Sequence, residues 1–308
     1  MTTVVNTSPN LASRVINGLL SIKPLANIAK QRARNMMIQR AEKIGVPWRQ
    51  RVQELRAHDW DSELANVQNP QLIYPDYYVT SFHAYDEGNL SWDAALEVEV
   101  AAYAVHARIW PGAGAQGDAQ LRQSYHDILK KQLSIEPKDI LDVACSVGMS
   151  TFALQEVYPS ATITGIDLSP YFLAVAQYSA RQRHAQITWK HAAAEATGLP
   201  DASLDLVSSF LLFHELPQTA AKQILGEARR LLRPGGYLTL MDMNPRSEIY
   251  AKMPPYILTL LKSTEPYLDE YFTLDIAQAL VEAGFQPPMI IPNSPRHRTI
   301  IAQVKDEG

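Results

Sequence analysis

The stretch Asp139-Ile-Leu-Asp-Val-Ala-Cys-Ser-Val-Gly148, followed by Gly165-Ile-Asp-Leu-Ser169, decides the fold of this chain. The first stretch is typical of a short apolar strand and a turn of small residues, and the second of a strand that ends at a carboxylate, Asp167. In such a strand–turn–helix–strand unit, the turn lets the backbone approach a ligand, and the carboxylate accepts hydrogen bonds from ribose hydroxyls. The two stretches therefore predict a site for an adenosyl group.

Apolar runs and helical patterns alternate from Lys138 onward. A proline at position 170, directly after a serine, marks the start of one helix, and Pro-Gly-Gly at 234–236 marks the turn after another. Regular alternation of this kind predicts an α/β domain with a Rossmann-like, seven-stranded, mostly parallel sheet and an antiparallel edge. The predicted strands lie at 140–143, 162–167, 187–191, 206–210, 237–242, 289–291 and 299–304.

Residues 1–135 differ in pattern and are predicted to be mainly helical, with helices at 11–20, 27–44, 48–57 and 92–110. The glycine-containing stretch 111–117 has the composition of a linker. We therefore expect two domains, an N-terminal helical region (1–135) that could cap an acceptor site and an α/β domain (136–308).

Composition limits the possible classes of protein. The 308 residues are 46% hydrophobic, enough for a sizeable core, and no run approaches the length of a membrane-spanning helix. The N-terminus lacks the layout of a secretory signal, and Cys145 is the only cysteine. These features predict a protein of a reducing, cytoplasmic compartment without an internal disulfide.

Charge is unevenly distributed, although the whole chain has a net charge of only −4. Between Arg14 and Arg56 there are ten basic residues and two acidic ones. Such a segment could contact an anionic membrane surface, or it could be a solvated helix face that packs on the acidic remainder. Because no aromatic residue interrupts the basic run before Trp48, we expect no nucleic-acid partner.

Five successive stretches resemble class I S-adenosyl-L-methionine (SAM)-dependent methyltransferases, in particular their UbiE-like branch. They are Leu141–Gly148, Gly165–Ser169, Ala194–Val207, Phe210–Leu216 and Leu231–Tyr237. The resemblance implies SAM as cofactor and S-adenosyl-L-homocysteine (SAH) as product.

The resemblance also implies roles for individual residues. The methionine end of SAM would lie on Asp142, Ala144, Ser146 and Gly148, and the ribose on Asp167. The remaining donor contacts would come from residues that pack on adenine, border its edge or wall the pocket: Leu168, Ala194, Glu195, Phe210 and Phe213. The family often has an aspartate where this chain has Ala193, so one hydrogen bond to adenine is lost or supplied elsewhere.

Methyl transfer is an in-line displacement in which the acceptor must also lose a proton, so a base is expected near the donor. His214, directly after the fourth strand, is the first candidate, and Asp242, after the fifth, is a weaker one. His214 could equally be a helix-start residue bonded to the backbone. Acceptor contacts are expected from Asn244 and from Tyr267 and Tyr271 in a covering segment.

A further stretch, Phe82-His-Ala-Tyr-Asp-Glu-Gly-Asn-Leu-Ser-Trp-Asp-Ala-Ala95, resembles a segment of methyltransferase-like proteins of cyanobacteria and plastids. Its His83 and Tyr85 could line an acceptor site, or the stretch could be a surface turn. His83, His106 and His191 lack the spacing of metal ligands, so we expect no metal.

The sequence thus favours a methyltransferase that acts on a small aromatic or lipophilic molecule, with O, N or C as the methylated atom. One alternative is a SAM-binding sensor or assembly protein without transferase activity. A nicotinamide oxidoreductase is a third reading, disfavoured because Ala144 and Ser146 replace glycines that would cradle a pyrophosphate.

Overall fold

The computed structural model describes residues 23–80, 85 and 87–305. Its centre is a seven-stranded sheet in the order β3-β2-β1-β4-β5-β7-β6, in which β7 runs antiparallel to both of its neighbours and the other pairs are parallel. This confirms the predicted fold class. The strands are β1 (Asp139–Val143), β2 (Thr162–Asp167), β3 (Ile187–His191), β4 (Leu204–Phe210), β5 (Leu232–Met243), β6 (Met289–Pro292) and β7 (His297–Gln303).

Helices cover both faces of the sheet and form most of the N-terminal region. Short 3₁₀ turns lie at Gly114–Gln116 and Phe213–Glu215. No helix within the described ranges is long and apolar enough to cross a membrane. The α-helices are α1 (Lys23–Lys43), α2 (Trp48–Arg56), α3 (Asp61–Val67), α4 (Trp92–His106), α5 (Gly117–Gln132), α6 (Met149–Val157), α7 (Pro170–Arg183), α8 (Gln218–Leu231), α9 (Glu248–Ala251), α10 (Pro255–Thr264), α11 (Leu268–Thr273) and α12 (Ile276–Glu282).

The stretch 111–117 is not the linker that its glycines suggest. Helix α4 ends at His106, a 3₁₀ turn follows, and α5 begins at Gly117. A Cβ atom at Gly117 would collide with the carbonyl oxygen of His106. This glycine is therefore required because two helices pack closely, and not because the chain must flex. The predicted helix at 11–20 lies outside the described residues.

The turn predicted at 234–236 is also different in the structure. Strand β5 runs through these residues, with Gly235 at φ +76°. Its pairing with β4 shifts register between Leu204 and Leu206. Proline and glycine here mark an irregularity inside a strand, which is one of the places where strands tolerate both residue types.

The basic N-terminal segment is partly neutralised by the protein itself. Arg34 pairs with the fully buried Glu97 of α4, and Arg51 and Arg56 pair with two other carboxylates of that helix. These pairs fit the reading of a helix face that packs on an acidic body. Membrane contact through this segment stays a prediction.

Helix α5 precedes the predicted domain boundary at residue 135 but packs on the sheet. Its Leu121 and Leu129 are buried in one cluster with Ile140 of β1. The Tyr125 hydroxyl reaches the hydroxyls of Ser208 (2.8 Å) and Thr239 (2.6 Å), on β4 and β5. The boundary itself stays a prediction.

Replacement of Tyr125 by phenylalanine is expected to lower the free energy of unfolding by about 1–3 kcal/mol, because two buried hydroxyls lose their shared partner. Urea unfolding followed by circular dichroism measures the change. Tyr158→Phe is the matched control, since the buried Tyr158 hydroxyl has no hydrogen-bond partner in the described part of the chain. Equal losses in the two variants would contradict the prediction.

Candidate donor and acceptor site

The turn between β1 and α6 brings backbone to the carboxyl edge of the sheet. Ala144, Ser146 and Gly148 all have left-handed backbone, with φ of +56°, +51° and +88°. For the alanine and the serine this conformation costs about 1 kcal/mol each. Side chains of Trp189 and Phe152 pack so closely on Gly148 that a Cβ atom there would meet both rings. Strain of this kind is typical of sites that bind ligands.

Asp142 lies at the end of β1, completely buried. Its Oδ2 accepts hydrogen bonds from Ser150 Oγ (2.7 Å) and Thr151 Oγ1 (2.6 Å) of α6. Burial raises the pKa of Asp142 to about 6, although these two hydrogen bonds act in the opposite direction.

Asp167, at the end of β2, links two loops. Its Oδ2 accepts a hydrogen bond from the backbone N–H of Ser146, and its Oδ1 one from that of Ser169, both at 2.8 Å. Burial raises the pKa of this carboxyl to about 6 as well. The carboxylate thereby fixes the β1 turn next to the loop after β2, where Leu168 is buried.

Buried polar atoms at this edge fit a ligand with several donor groups. Asp142 Oδ1, Ser146 Oγ and Glu195 Oε2 have no hydrogen-bond partner within the residues that the structure describes. Leaving such atoms unpaired costs about 1–3 kcal/mol each. The ammonium and hydroxyl groups of SAM supply donors of the required kind, so the residues present fit this group.

Ala194 and Glu195 lie at the tip of a tight turn that is closed by a hydrogen bond from Ala196 N to Ala193 O (3.2 Å). Glu195 Oε1 accepts a hydrogen bond from the hydroxyl of Tyr77 at 2.5 Å. The sequence reasoning missed Tyr77 and its neighbours. The run Tyr74-Pro-Asp-Tyr-Tyr78 was the available signal, but it did not indicate its partners.

His214 lies in the 3₁₀ turn after β4 and pairs with Asp242 at the end of β5. The Nδ1 of His214 is 2.7 Å from Asp242 Oδ1, and Oδ2 accepts the backbone N–H of Phe213 at 2.7 Å. Burial lowers the pKa of His214, but the Asp242 carboxylate outweighs it and the pKa rises to about 10. Asp242 thus orients the imidazole, which is not simply bonded to backbone.

Two more carboxylates lie beside this pair. Side-chain ligand atoms of His214, Glu215 and Glu265 all lie within 4.8 Å of one another. Their negative charge favours a cation, whether the imidazolium or the positively charged methyl donor. Metal ligands can have similar spacing, so the absence of a metal stays a prediction.

The two phenylalanines expected beside the donor occupy different surroundings. Phe210 packs edge-on against Tyr125 and under the guanidinium of Arg122, on the face that α5 covers. Phe213 is buried in the cluster that contains α8 and the covering segment. Only Phe213 adjoins the His214–Asp242 pair directly, through its backbone N–H.

The covering segment 244–272 places its two candidate tyrosines differently. Tyr271 is fully buried, donates its hydroxyl to Met243 O (2.7 Å) and lies edge-on to His214. Tyr267 lies edge-on to Tyr77. The side chain of Asn244 accepts the backbone N–H of Arg246 within a local turn.

The stretch 82–95 is only partly described. His83 lies outside the described residues. The hydroxyl of Tyr85 donates to Glu97 Oε2 (2.8 Å), the buried partner of Arg34. This contact uses the hydroxyl within the N-terminal region, and an acceptor role for Tyr85 stays a prediction.

One part of the chain matches a known family. Residues 140–236 match a family model described as a methyltransferase domain. These residues are a class I SAM-dependent methyltransferase domain. SAM is therefore the cofactor of the domain, and we expect its site at the carboxyl edge of β1, β2 and β3 described above, here called the donor edge.

Relatives of the methyltransferase domain cover only part of the chain. It is 28% identical over 164 residues to an uncharacterized methyltransferase from Synechocystis, with 53% of this chain and 74% of the relative covered. It is 34% identical over 109 residues to a demethylmenaquinone methyltransferase from Thermus thermophilus, with 35% of this chain covered. The chain thus spans about half of the Thermus relative, 49% of its length.

A solved structure shows the same fold. The phosphoethanolamine N-methyltransferase 2 of Haemonchus contortus aligns with a TM-score of 0.52 and 14% identity, over 72% of this chain and 62% of that one. At this identity the likeness concerns the methyltransferase fold alone.

SAH affinity is expected to fall as the pH drops below about 6. Asp142 and Asp167 then take up protons in the ligand-free protein, and a ligand that donates hydrogen bonds to their carboxylates must displace these protons. The affinity should therefore fall about tenfold per pH unit for each of the two groups. Because these pKa values are raised by folding, the same ionisations destabilise the ligand-free fold as the pH rises through 4 to 6.

Calorimetric titration with SAH between pH 5 and 8 measures this dependence. Asp142→Asn should make the pH dependence less steep, whereas Asp201→Asn, at a largely exposed carboxylate, should leave it unchanged. An affinity independent of pH across this range would contradict the expectation.

Proposed function

We propose that this chain transfers the methyl group of SAM to a small aromatic or lipophilic acceptor, which binds between His214 and the covering segment. The His214–Asp242 pair carries the proposal, because it lies at the carboxyl edge of β4 and β5, next to the donor edge. The bound donor supplies an electrophilic methyl group.

The surroundings of His214 support an acceptor site. Tyr271 lies edge-on to the imidazole and Phe213 is buried beside it, so the pair has aromatic neighbours. Aromatic side chains favour planar or apolar ligands. The name of the Thermus relative, a demethylmenaquinone methyltransferase, supports a quinone-type acceptor as the first to test.

The reaction needs a base as well as a donor. A bond forms from the acceptor atom to the methyl carbon as the carbon–sulfur bond breaks, and the electron pair of that bond stays on sulfur. The acceptor proton passes to Nε2 of His214, whose Nδ1–H is held by Asp242. The closely placed carboxylates stabilise the imidazolium that forms.

The pKa of His214, about 10 in the ligand-free protein, has a consequence for this step. At neutral pH His214 is therefore an imidazolium with a proton on each ring nitrogen. Its Nε2 can accept the acceptor proton only after losing its own. The approach of the positively charged donor favours that loss, because like charges disfavour the charged form. Activity is therefore expected to rise with pH through the neutral range.

The donor half of the proposal is tested by calorimetric titration with SAM, SAH and NAD. Micromolar binding of SAM and SAH, lost in Asp167→Ala and unchanged in Asp201→Ala, supports a donor site. Binding of NAD alone, or of none of the three, would contradict it. Release of SAH with at least one quinol, phenol or other lipophilic acceptor then separates a transferase from a protein that only binds SAM.

The state of His214 is testable without knowledge of the acceptor. In protein labelled with ¹⁵N-histidine, the His214 signal, assigned by its loss in His214→Gln, should titrate near pH 10. Asp242→Asn removes the carboxylate that raises the pKa most, so the pKa should fall, while Glu265 and Glu215 still act against the effect of burial. Titration of wild-type His214 near 6.5 would refute the assignment. His126, buried with a pKa lowered to about 4, is an internal reference.

A further inference from the structure

A segment of the N-terminal region crosses the donor edge. After α3 the chain runs through residues 68–80 without a helix or strand, and residues 69–78, here called the tyrosine strap, contact the loops after β2 and β3. The strap contains Tyr74, Tyr77 and Tyr78. Its hydrogen bonds reach Glu195, which is expected at the adenine edge, and His191, the direct partner of Leu168.

The first contact is made through His191, the last residue of β3. The backbone N–H of Asn69 donates to His191 Nδ1 at 2.9 Å, so Nδ1 is an acceptor and the proton is on Nε2. That Nε2–H donates to Leu168 O at 2.9 Å, and the Tyr74 hydroxyl lies 3.2 Å away. A neutral imidazole thus joins the strap to the loop that would pack on adenine.

The second contact is that of Tyr77 with Glu195. Its hydroxyl donates to one carboxylate oxygen at 2.5 Å, and the second oxygen lacks a partner in the described ranges. The Tyr77 ring also lies edge-on to Tyr267 of the covering segment. One side chain therefore connects the adenine-edge turn with the acceptor cover.

The third strap tyrosine, Tyr78, lies near the ribose carboxylate. Its hydroxyl is buried beside Asp167 and has no hydrogen-bond partner within the described residues, although the residue as a whole is only half-buried. Tyr74 stacks on Tyr78 with nearly parallel rings and holds it there. Both oxygens of Asp167 already accept a backbone N–H, which leaves them one lone pair each. Two ribose hydroxyls would need both of these lone pairs.

We propose that the tyrosine strap is the outer wall of the adenosine half of the donor site. The inference rests on the donor site of the proposed function and adds binding residues from outside the methyltransferase domain. The strap opens to admit SAM, closes on the bound nucleoside, and opens again to release SAH. Exchange of the cofactor is therefore limited by the hydrogen bond of Tyr77 to Glu195 and by the contacts of Asn69 and Tyr74 with His191.

Stopped-flow measurement of SAH binding tests the role of the strap. The signal is the fluorescence of Trp189, which packs on the β1 turn. Tyr77→Phe should raise the association and dissociation rates about tenfold, because it removes a charge-assisted hydrogen bond that closes the strap with or without ligand. Tyr78→Phe removes a hydroxyl without a hydrogen-bond partner in the described residues, so it should change both rates less than Tyr77→Phe does. Tyr158→Phe, at a buried tyrosine outside these contacts, should change neither rate.

Hydrogen exchange gives a second readout that does not depend on a variant. The backbone N–H of Asn69 should exchange more slowly with SAH bound, whereas that of Leu133, at the end of α5, should not change. Rates within twofold of wild type in both strap variants, together with unchanged exchange at Asn69, would contradict the proposed role of the strap. They would not contradict the donor site. Failure of wild-type protein to bind SAH would overturn both.

Discussion

The buried carboxylate of Asp167 is the constraint on which the donor edge depends. It accepts one backbone N–H from the turn after β1 and one from the loop after β2, so it holds two connections of the sheet in a single geometry. A charge placed at this depth is tolerated only because donors surround it. The positions of both loops therefore depend on one group.

Much of the fold follows from local sequence. The alternation of strands and helices after residue 138 predicts a parallel sheet, because each unit must cover the sheet with its own helix. The small residues of the β1 turn and Asp167 likewise predict a ligand site from neighbours in the chain. His214 and Asp242 were predicted at the same edge for a related reason, since the carboxyl ends of adjacent parallel strands meet.

The parts that could not be predicted are contacts between distant segments. Asn69 and His191 are joined across more than a hundred residues, and nothing in either local pattern names the other. Glu265 is as difficult to foresee beside His214, because its position depends on how the covering segment folds back. The glycines of 111–117 suggest a linker because glycine serves both loops and tight helix contacts, and only the neighbouring backbone at Gly117 distinguishes these uses.

The strained β1 turn also encloses the only thiol of the chain. Cys145 is 1% exposed, and burial beside the Asp167 and Asp142 carboxylates raises its pKa well above the usual range. The sulfur is consequently a poor nucleophile as long as the turn is intact, and it becomes reactive only when the turn opens. Cys145 is thus a natural chemical reporter in the β1 turn. Its rate of alkylation measures how often the turn opens, without any engineered label.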